Sequence, residues 1–261
     1  MHSCAFKNSV LRTLDGEAIQ RLSLKPITLE VGHEVETPGS LIEHLIFIEE
    51  GMASMTITFE DGSEVGVGMF GFASIIGVSA LMGAKRSLNR IYMQIEGNGY
   101  SCPVEVGRRE FRLGGAFQSL ALRYVQVQLI HAAQSAGCNA KHSVDQRLAR
   151  WLLLCGDRAR RNTFKMSQES LAHMLGVARP TVSIAAEHLK EEGLIEYSRG
   201  VFHILDVTRL EEKSCECYRV VKKHLDSYTE FDSGIPVERQ ITNSGLQGPN
   251  APLIWSGLRA G

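Results

Sequence analysis

The chain has 261 residues, 44% of them hydrophobic and 22% charged, with a formal net charge of −1. That composition is ordinary for a globular protein of one large domain or two smaller ones, and no run reaches the 18 or more apolar residues that a membrane crossing needs. Six scattered cysteines (Cys4, Cys102, Cys138, Cys155, Cys215, Cys217) exclude a dense disulfide scaffold; with no basic and apolar leader in Met1–Lys7, a cytoplasmic protein with reduced thiols is expected.

Charge is unevenly spread. Residues 1–100 hold seven Lys/Arg against twelve Asp/Glu, whereas residues 141–200 hold ten against seven. A basic segment behind an acidic one is the footprint expected when nucleic-acid binding is confined to one part of a chain.

Residues 24–106 read as β structure. Ile27-Thr28-Leu29-Glu30-Val31 alternates apolar and polar side chains, as a half-buried strand does. The stretch Leu41–Ile48 is rich in β-formers, and Met55–Phe59 runs through Glu60-Asp61-Gly62-Ser63 into Glu64–Val67. Asp61-Gly62 suits a two-residue type I′ hairpin, in which both central residues need positive φ. Glycines recurring from Gly32 to Gly107 punctuate many short strands, which predicts an antiparallel roll or barrel over residues 1–110.

After Gly115 the pattern is helical to about Ser135. Phe117, Leu120, Tyr124 and Val127 form one apolar stripe; Ala121, Leu122, Val125, Leu129 and Ala132 form the next. Two adjoining stripes predict one face for the home domain and one for a second copy of the chain. Phe117, Leu120, Ala121, Tyr124, Val125 and Leu129 are therefore candidate dimerisation residues on a helix within 111–137. Gly137-Cys138-Asn139 is expected to end that helix. Ser143 then caps another, with Asp145 in its first turn and Leu148, Trp151, Leu152 and Cys155 at core spacing. Residues 138–230 are expected to form the second domain, and 231–261, which lack periodicity, a flexible tail.

The most informative stretch is Met166 to Leu205. Ser167 caps a helix with apolar Leu171, Met174 and Leu175 and a small Ala172 where a second helix must cross. Gly176 supplies the left-handed turn between them. The second helix starts at Arg179, with Pro180 tolerated in its first turn, and Gly193 closes it. Leu194–Tyr197 and Val201–Leu205 alternate as two strands around Ser198-Arg199-Gly200, a wing. In a helix-turn-helix the first turn of the second helix enters the major groove, so Arg179, Thr181 and Ser183 are candidates for base edges or nearby phosphates. Ser167 and Gln168 are placed to donate to a phosphate, and Arg199 to reach the backbone beside the groove.

With the roll, the long helix and Ser143-Val144-Asp145-Gln146-Arg147-Leu148-Ala149-Arg150-Trp151-Leu152-Leu153 leading into a winged helix, the chain over about 20–228 resembles the Crp/Fnr family of bacterial transcription regulators. The resemblance implies an α+β fold: an N-terminal antiparallel β-roll (a cupin-like double-stranded β-helix), a long dimerisation helix and a C-terminal winged helix-turn-helix. It implies a homodimer, a near-palindromic site in double-stranded promoter DNA, and RNA polymerase as a further partner. In that family the residues matching Arg179, Pro180, Ile184 and Ser198-Arg199-Gly200 lie at the DNA. Cyclic-AMP-responsive members carry Glu and Arg in the second helix where this chain has Pro180 and Ile184, which implies a different half-site.

Cyclic-nucleotide-binding members use a Gly-Glu pair for the ribose and an Arg-Ser or Arg-Ala pair for the phosphate. The stretch taken as its match is Gly71-Phe72-Ala73-Ser74, with Phe72 in place of the glutamate, and Arg90 is followed by Ile91. Gly71, Phe72, Ser74 and Arg90 are the candidate effector pocket. Cyclic AMP or GMP is not expected there, and no cofactor is assigned.

Cys4 stands alone near the N-terminus, against an iron–sulfur sensor. Thr208 with Glu211 reads as a capping box opening one helix to about Tyr228. Two residues apart on such a helix, Cys215 and Cys217 would point about 200° from each other, so neither a shared metal nor a disulfide is expected. Cys217 reads as a core residue and Cys215 as a candidate redox thiol. His173, His188, His203 and His224 show no ligand spacing, and no metal site is expected. Nor does a phosphate loop or nucleophile–base pair point to an enzyme. The alternative to a DNA-binding regulator is a ligand- or redox-responsive module that regulates a protein partner.

Overall fold

A computed structural model describes residues 6–230. Two short helices open it, α1 (Ser9–Thr13) and α2 (Gly16–Leu22), capped by the Asn8 and Asp15 side chains. Five antiparallel strands follow: β1 (Lys25–Leu29), β2 (Glu34–Glu36), β3 (His44–Thr58), β4 (Glu64–Phe70) and β5 (Arg90–Pro103). Their order is β1-β5-β3-β4, with β2 also paired to β5. This is the β-roll.

Leu41–Ile48 and Met55–Phe59, which read as two strands, contribute to one, β3. Gly51, at φ 90°, bends it, and its register against β5 shifts at Ile48, Glu50 and Met52. Gly97 permits the crossing, because a Cβ there would lie 1.8 Å from the Glu50 carbonyl oxygen. A bend that keeps the chain hydrogen-bonded lets one strand serve two walls. The Asp61-Gly62 turn differs as well. Phe59 donates its N–H to the Ser63 carbonyl, and of the expected pair only Gly62 takes positive φ. The loop therefore has three residues, a type I turn closed by a left-handed glycine rather than a type I′ turn.

Helices α3 (Val104–Arg112) and α4 (Ala116–Lys141) follow the roll. The expected break at Gly137 does not occur: α4 continues to Lys141, with Cys138 fully buried in its last turn. An interior glycine costs a helix only about 1 kcal/mol, which packing of the turn offsets. The two stripes divide differently from the expected dimer set. Phe117, Leu120, Ala121 and Tyr124 are buried in the core of the roll itself, with Phe117 against Phe47. Leu122 and Leu129 face outward, 47% and 70% exposed, with Val125 half-buried between them.

A second core gathers around α5 (Val144–Ala159), which Ser143 and Gln146 open with a capping box. Onto it pack α6 (Gln168–Leu175), α7 (Arg179–Glu191) and a three-stranded sheet, β6 (Thr163–Lys165), β7 (Ile195–Ser198) and β8 (Val201–Ile204), in the order β6-β8-β7. The segment expected as one helix to Tyr228 is two, α8 (Val207–Lys213) and α9 (Cys217–Ser227). Asp206, not Thr208, caps the first, and Ser214 turns to an extended conformation that takes Cys215 out of any helix. Helix α9 returns along α4. The Tyr124 and Tyr228 rings are 5.6 Å apart, and the Tyr228 hydroxyl donates to the Ala73 carbonyl at 2.8 Å. Among the described residues no helix is long and apolar enough to cross a membrane. Cys4 and the expected tail, 231–261, lie outside the described residues.

His131, on α4, is buried, and burial, reinforced by the cations Arg158 and Arg150, lowers its pKa to about 3. An unfolded histidine titrates near 6.5. Because the folded pKa is depressed, this stabilisation is complete above the unfolded value and is lost as pH falls toward the folded one. His131→Gln is expected to flatten the loss of stability between pH 6 and pH 4 by about 1.4 kcal/mol per pH unit. Urea unfolding across that range measures it, and an unchanged slope would remove His131 from the acid limb.

Candidate nucleic-acid interface

Three local signals assemble the helix-turn-helix. Ser167 accepts a hydrogen bond from the Ser170 amide at 3.0 Å and so starts α6. Gly176 adopts φ 61° at its end, letting the chain reverse over Val177 and Ala178. Pro180 in the first turn of α7 loses no helical hydrogen bond, since that N–H has no partner within the helix. Val182, Ala185, Ala186 and Leu189 are buried against the second core. The opposite face of α7 carries exposed Arg179, Pro180, Thr181 and Ile184, the last 59% exposed.

Ser183 and Gln168 have an internal job. The Ser183 hydroxyl donates to Gln168 Oε1 at 2.7 Å, tying the two helices together at the edge of the candidate surface. Ala178, the N-cap of α7, provides no side-chain acceptor. Pro180 has no N–H and the Thr181 amide donates to the Ala178 carbonyl at 3.0 Å, so the start of α7 offers an anion the Arg179 amide and the positive end of the helix dipole.

The wing is a tight hairpin. Ser198 pairs with Val201, and both Arg199 (φ 48°) and Gly200 (φ 77°) are left-handed, as a two-residue type I′ turn requires. Arg199 is exposed at its tip. The sequence reading missed β6, which pairs with β8 and sends the Met166 amide to the Gly200 carbonyl at 2.7 Å, bracing the wing. At three residues, β6 is too short for alternation to reveal it.

The basic excess of 141–200 does not reach the surface. Arg147, Arg150 and Arg158 are buried; removing them from the ten cations leaves seven against seven acids. Arg158 lies where a Gly71 Cβ would meet its backbone, and the Arg147 guanidinium donates to the Leu175 carbonyl. The Arg147 and Arg150 guanidiniums tie α5 to α6 and to Ser135 of α4; positive potential at the surface comes from individual side chains such as Arg179 and Arg199.

The candidate effector residues are not brought together. Gly71 and Ser74 form a turn against α5, with the Gly71 amide donating to Ser74 Oγ at 2.9 Å. The Phe72 ring lies 3.7 Å under the Arg160 guanidinium. Arg90 is held by Glu34 and Glu64. A cavity of about 210 Å³ does open within the roll, but other residues line it: Glu36, Met55, Phe70, Val78, Ser87 and Ile91 among them. Burial raises the pKa of the Glu36 carboxyl. Arg86, at the rim, donates to the Gly39 carbonyl. The signal overlooked in the sequence was the dipeptide Arg86-Ser87, four positions before Arg90.

Cys215, the candidate redox thiol, is buried; hydrogen bonding with Cys138 and desolvation push its thiol up. The expectation that Cys215 and Cys217 diverge on one helix fails because the helix is broken between them. Their sulfurs instead meet Cys138 and His142.

Residues 146–213 match the Crp-like helix-turn-helix domain. Solved structures of similar fold include FixK2 from Bradyrhizobium japonicum (15% identity, 74% of this chain and 98% of that one, TM-score 0.63). Others are a CRP-family transcriptional regulator from Thermus thermophilus (19%, 73% and 96%, 0.59) and the c-di-GMP responsive global regulator CLP from Xanthomonas campestris (18%, 74% and 100%, 0.58). No curated protein matches the sequence. The chain has the fold of these regulators and, over 146–213, a Crp-like helix-turn-helix domain.

A left-handed arginine is strained where glycine is not. Arg199→Gly is therefore expected to leave thermal stability unchanged or raise it by up to about 1 kcal/mol. A loss of more than that in a calorimetric melt would mean the arginine side chain holds the wing together.

Proposed function

We propose that the protein binds a near-palindromic promoter site as a homodimer and regulates transcription there, with RNA polymerase as the machinery it acts on. The first turn of α7 enters the major groove of each half-site, and the wing lies on the flanking backbone. The observation that carries this reading is the division of α7: its apolar residues are buried, while Arg179, Pro180, Thr181 and Ile184 stand exposed beside an uncapped helix start and the Arg199 tip. Arg179 suits a bidentate contact to guanine, and Ile184 suits a thymine methyl. Ser167 faces a phosphate from the start of α6, and Gln168 and Ser183 position the two helices. Dimerisation uses the outward stripe of α4, Leu122, Val125 and Leu129, which the home core leaves uncovered. The roll, α4 and the segment from Ser143 act as sensor-like, dimerising and DNA-binding parts. The roll cavity favours a small, largely apolar effector, because Met55, Phe70, Val78 and Ile91 form much of its lining.

Selection from a random DNA pool is expected to enrich a palindrome with half-sites about one helical turn apart. Arg179→Ala should relax base preference by about 1–3 kcal/mol at one position, whereas Arg199→Gly should weaken binding to every sequence and reduce the salt slope by about one. Binding that is indifferent to salt would sink the reading in favour of a module that regulates a protein partner.

A further inference from the structure

Two segments far apart in the sequence bring four metal-binding side chains to one place. Cys138 lies in the last turn of α4, and His142 caps that helix, its amide donating to the Cys138 carbonyl at 3.0 Å. Cys215 and Cys217 flank the start of α9. All four ligand atoms lie within 4.8 Å of one another. Cys138 Sγ is 3.5 Å from Cys215 Sγ, and Cys217 Sγ is 3.6 Å from His142 Nδ1. The three sulfurs form a buried cluster separate from both hydrophobic cores. We propose that Cys138, His142, Cys215 and Cys217 hold one tetrahedral metal ion of the zinc(II) class.

The spacing favours a single ion. Bonds of about 2.3 Å to sulfur and 2.0 Å to nitrogen set tetrahedral ligand atoms about 3.5–3.8 Å apart, where both measured pairs lie. A disulfide needs its sulfurs at about 2.05 Å. A four-iron cluster, whose thiolates bind the outer corners of a cube, would spread them beyond this group.

The surroundings supply what such a site needs outside its ligands. His142 Nε2 is 3.3 Å from a Glu216 carboxylate oxygen, so the ring donates outward to it and turns the Nδ1 lone pair toward the sulfurs. Gln134 Nε2 donates to Cys217 Sγ at 3.1 Å, a bond that favours thiolate. Three thiolates and one divalent ion leave a net charge of −1, and Arg147 and Arg150 of α5 place positive potential at the sulfurs.

The position gives the ion a structural consequence. One half of the site immediately precedes the helix-turn-helix segment and the other immediately follows it, so the ion closes that segment into a loop at its base. The clamp fixes the end of α4 to the start of α9, and a chain crosslinked there has fewer unfolded conformations.

The full-length protein, purified under reducing conditions, is expected to carry one equivalent of zinc by elemental analysis. Titration of metal-stripped protein with cobalt(II) alone should give the intense visible bands of a tetrahedral ion and a thiolate charge-transfer band saturating at one equivalent. Cys138→Ser and Cys215→Ser should each lower that charge-transfer band by about a third, for one thiolate in three, and weaken zinc binding at least tenfold. The weak pink spectrum of octahedral cobalt in the unmodified protein would overturn the site without reference to any variant. So would a Cys138–Cys215 disulfide that persists in reductant, or iron accompanied by acid-labile sulfide.

Discussion

The antiparallel packing of α9 on α4 is the constraint from which the arrangement follows. One face of α4 belongs to the roll: Phe117, Leu120, Tyr124 and Val127 are buried in its core, each contributing on the order of 1.5–3 kcal/mol as its apolar surface leaves water. The same helix then receives the returning chain. Tyr228 closes one end against Tyr124 and the Ala73 carbonyl, and the Cys138–Cys217 cluster closes the other. With both ends of 143–216 held on one helix, α5 lies against the roll and the helix-turn-helix is carried with it.

Close glycine contacts make this docking specific. A Cβ on Gly66 would lie 2.7 Å from the Met174 sulfur, and one on Gly71 would lie 2.5 Å from the Arg158 carbonyl oxygen. Two glycines of the roll therefore act as seats for α6 and α5. Because α6 touches the roll through its C-terminal end, its N-terminal Ser167 and the outer face of α7 stay in solvent. The buried arginines fit the same logic. Arg147 and Arg150 join α5 to α6 and α4 through polar contacts, which leaves Arg179 and Arg199 as exposed cations of the helix-turn-helix.

Local signals were legible wherever they acted over a few residues. The caps at Ser143 and Ser167, the left-handed Gly176, Pro180 in a first turn and the tight tip at Arg199-Gly200 each depend on backbone geometry within one turn. So the positions of α5, α6, α7 and the wing could be read directly. The shortest elements are too brief for periodicity to show: β6 has three residues, and α1 and α2 are marked only by their caps, Asn8 and Asp15, which the reading passed over. The turn at Gly62 was located but its type was not, because the pairing of Phe59 with Ser63 decides the loop length.

What the amino-acid sequence determined by itself is therefore the class of fold and the design of the helix-turn-helix, since propensity, capping and alternation are properties of neighbouring residues. Tertiary structure alone decided which stripe of α4 is core and which is free, because both are equally apolar along the chain. It decided that Arg147, Arg150 and Arg158 face inward, and that the roll cavity is lined near Ser87 rather than near Phe72. It also decided the fate of the cysteines. Cys138 and Cys215 are 77 positions apart, and no local rule links them. They meet only because Ser214 breaks a helix and α9 folds back on α4, an outcome set by burial of side chains distant in sequence.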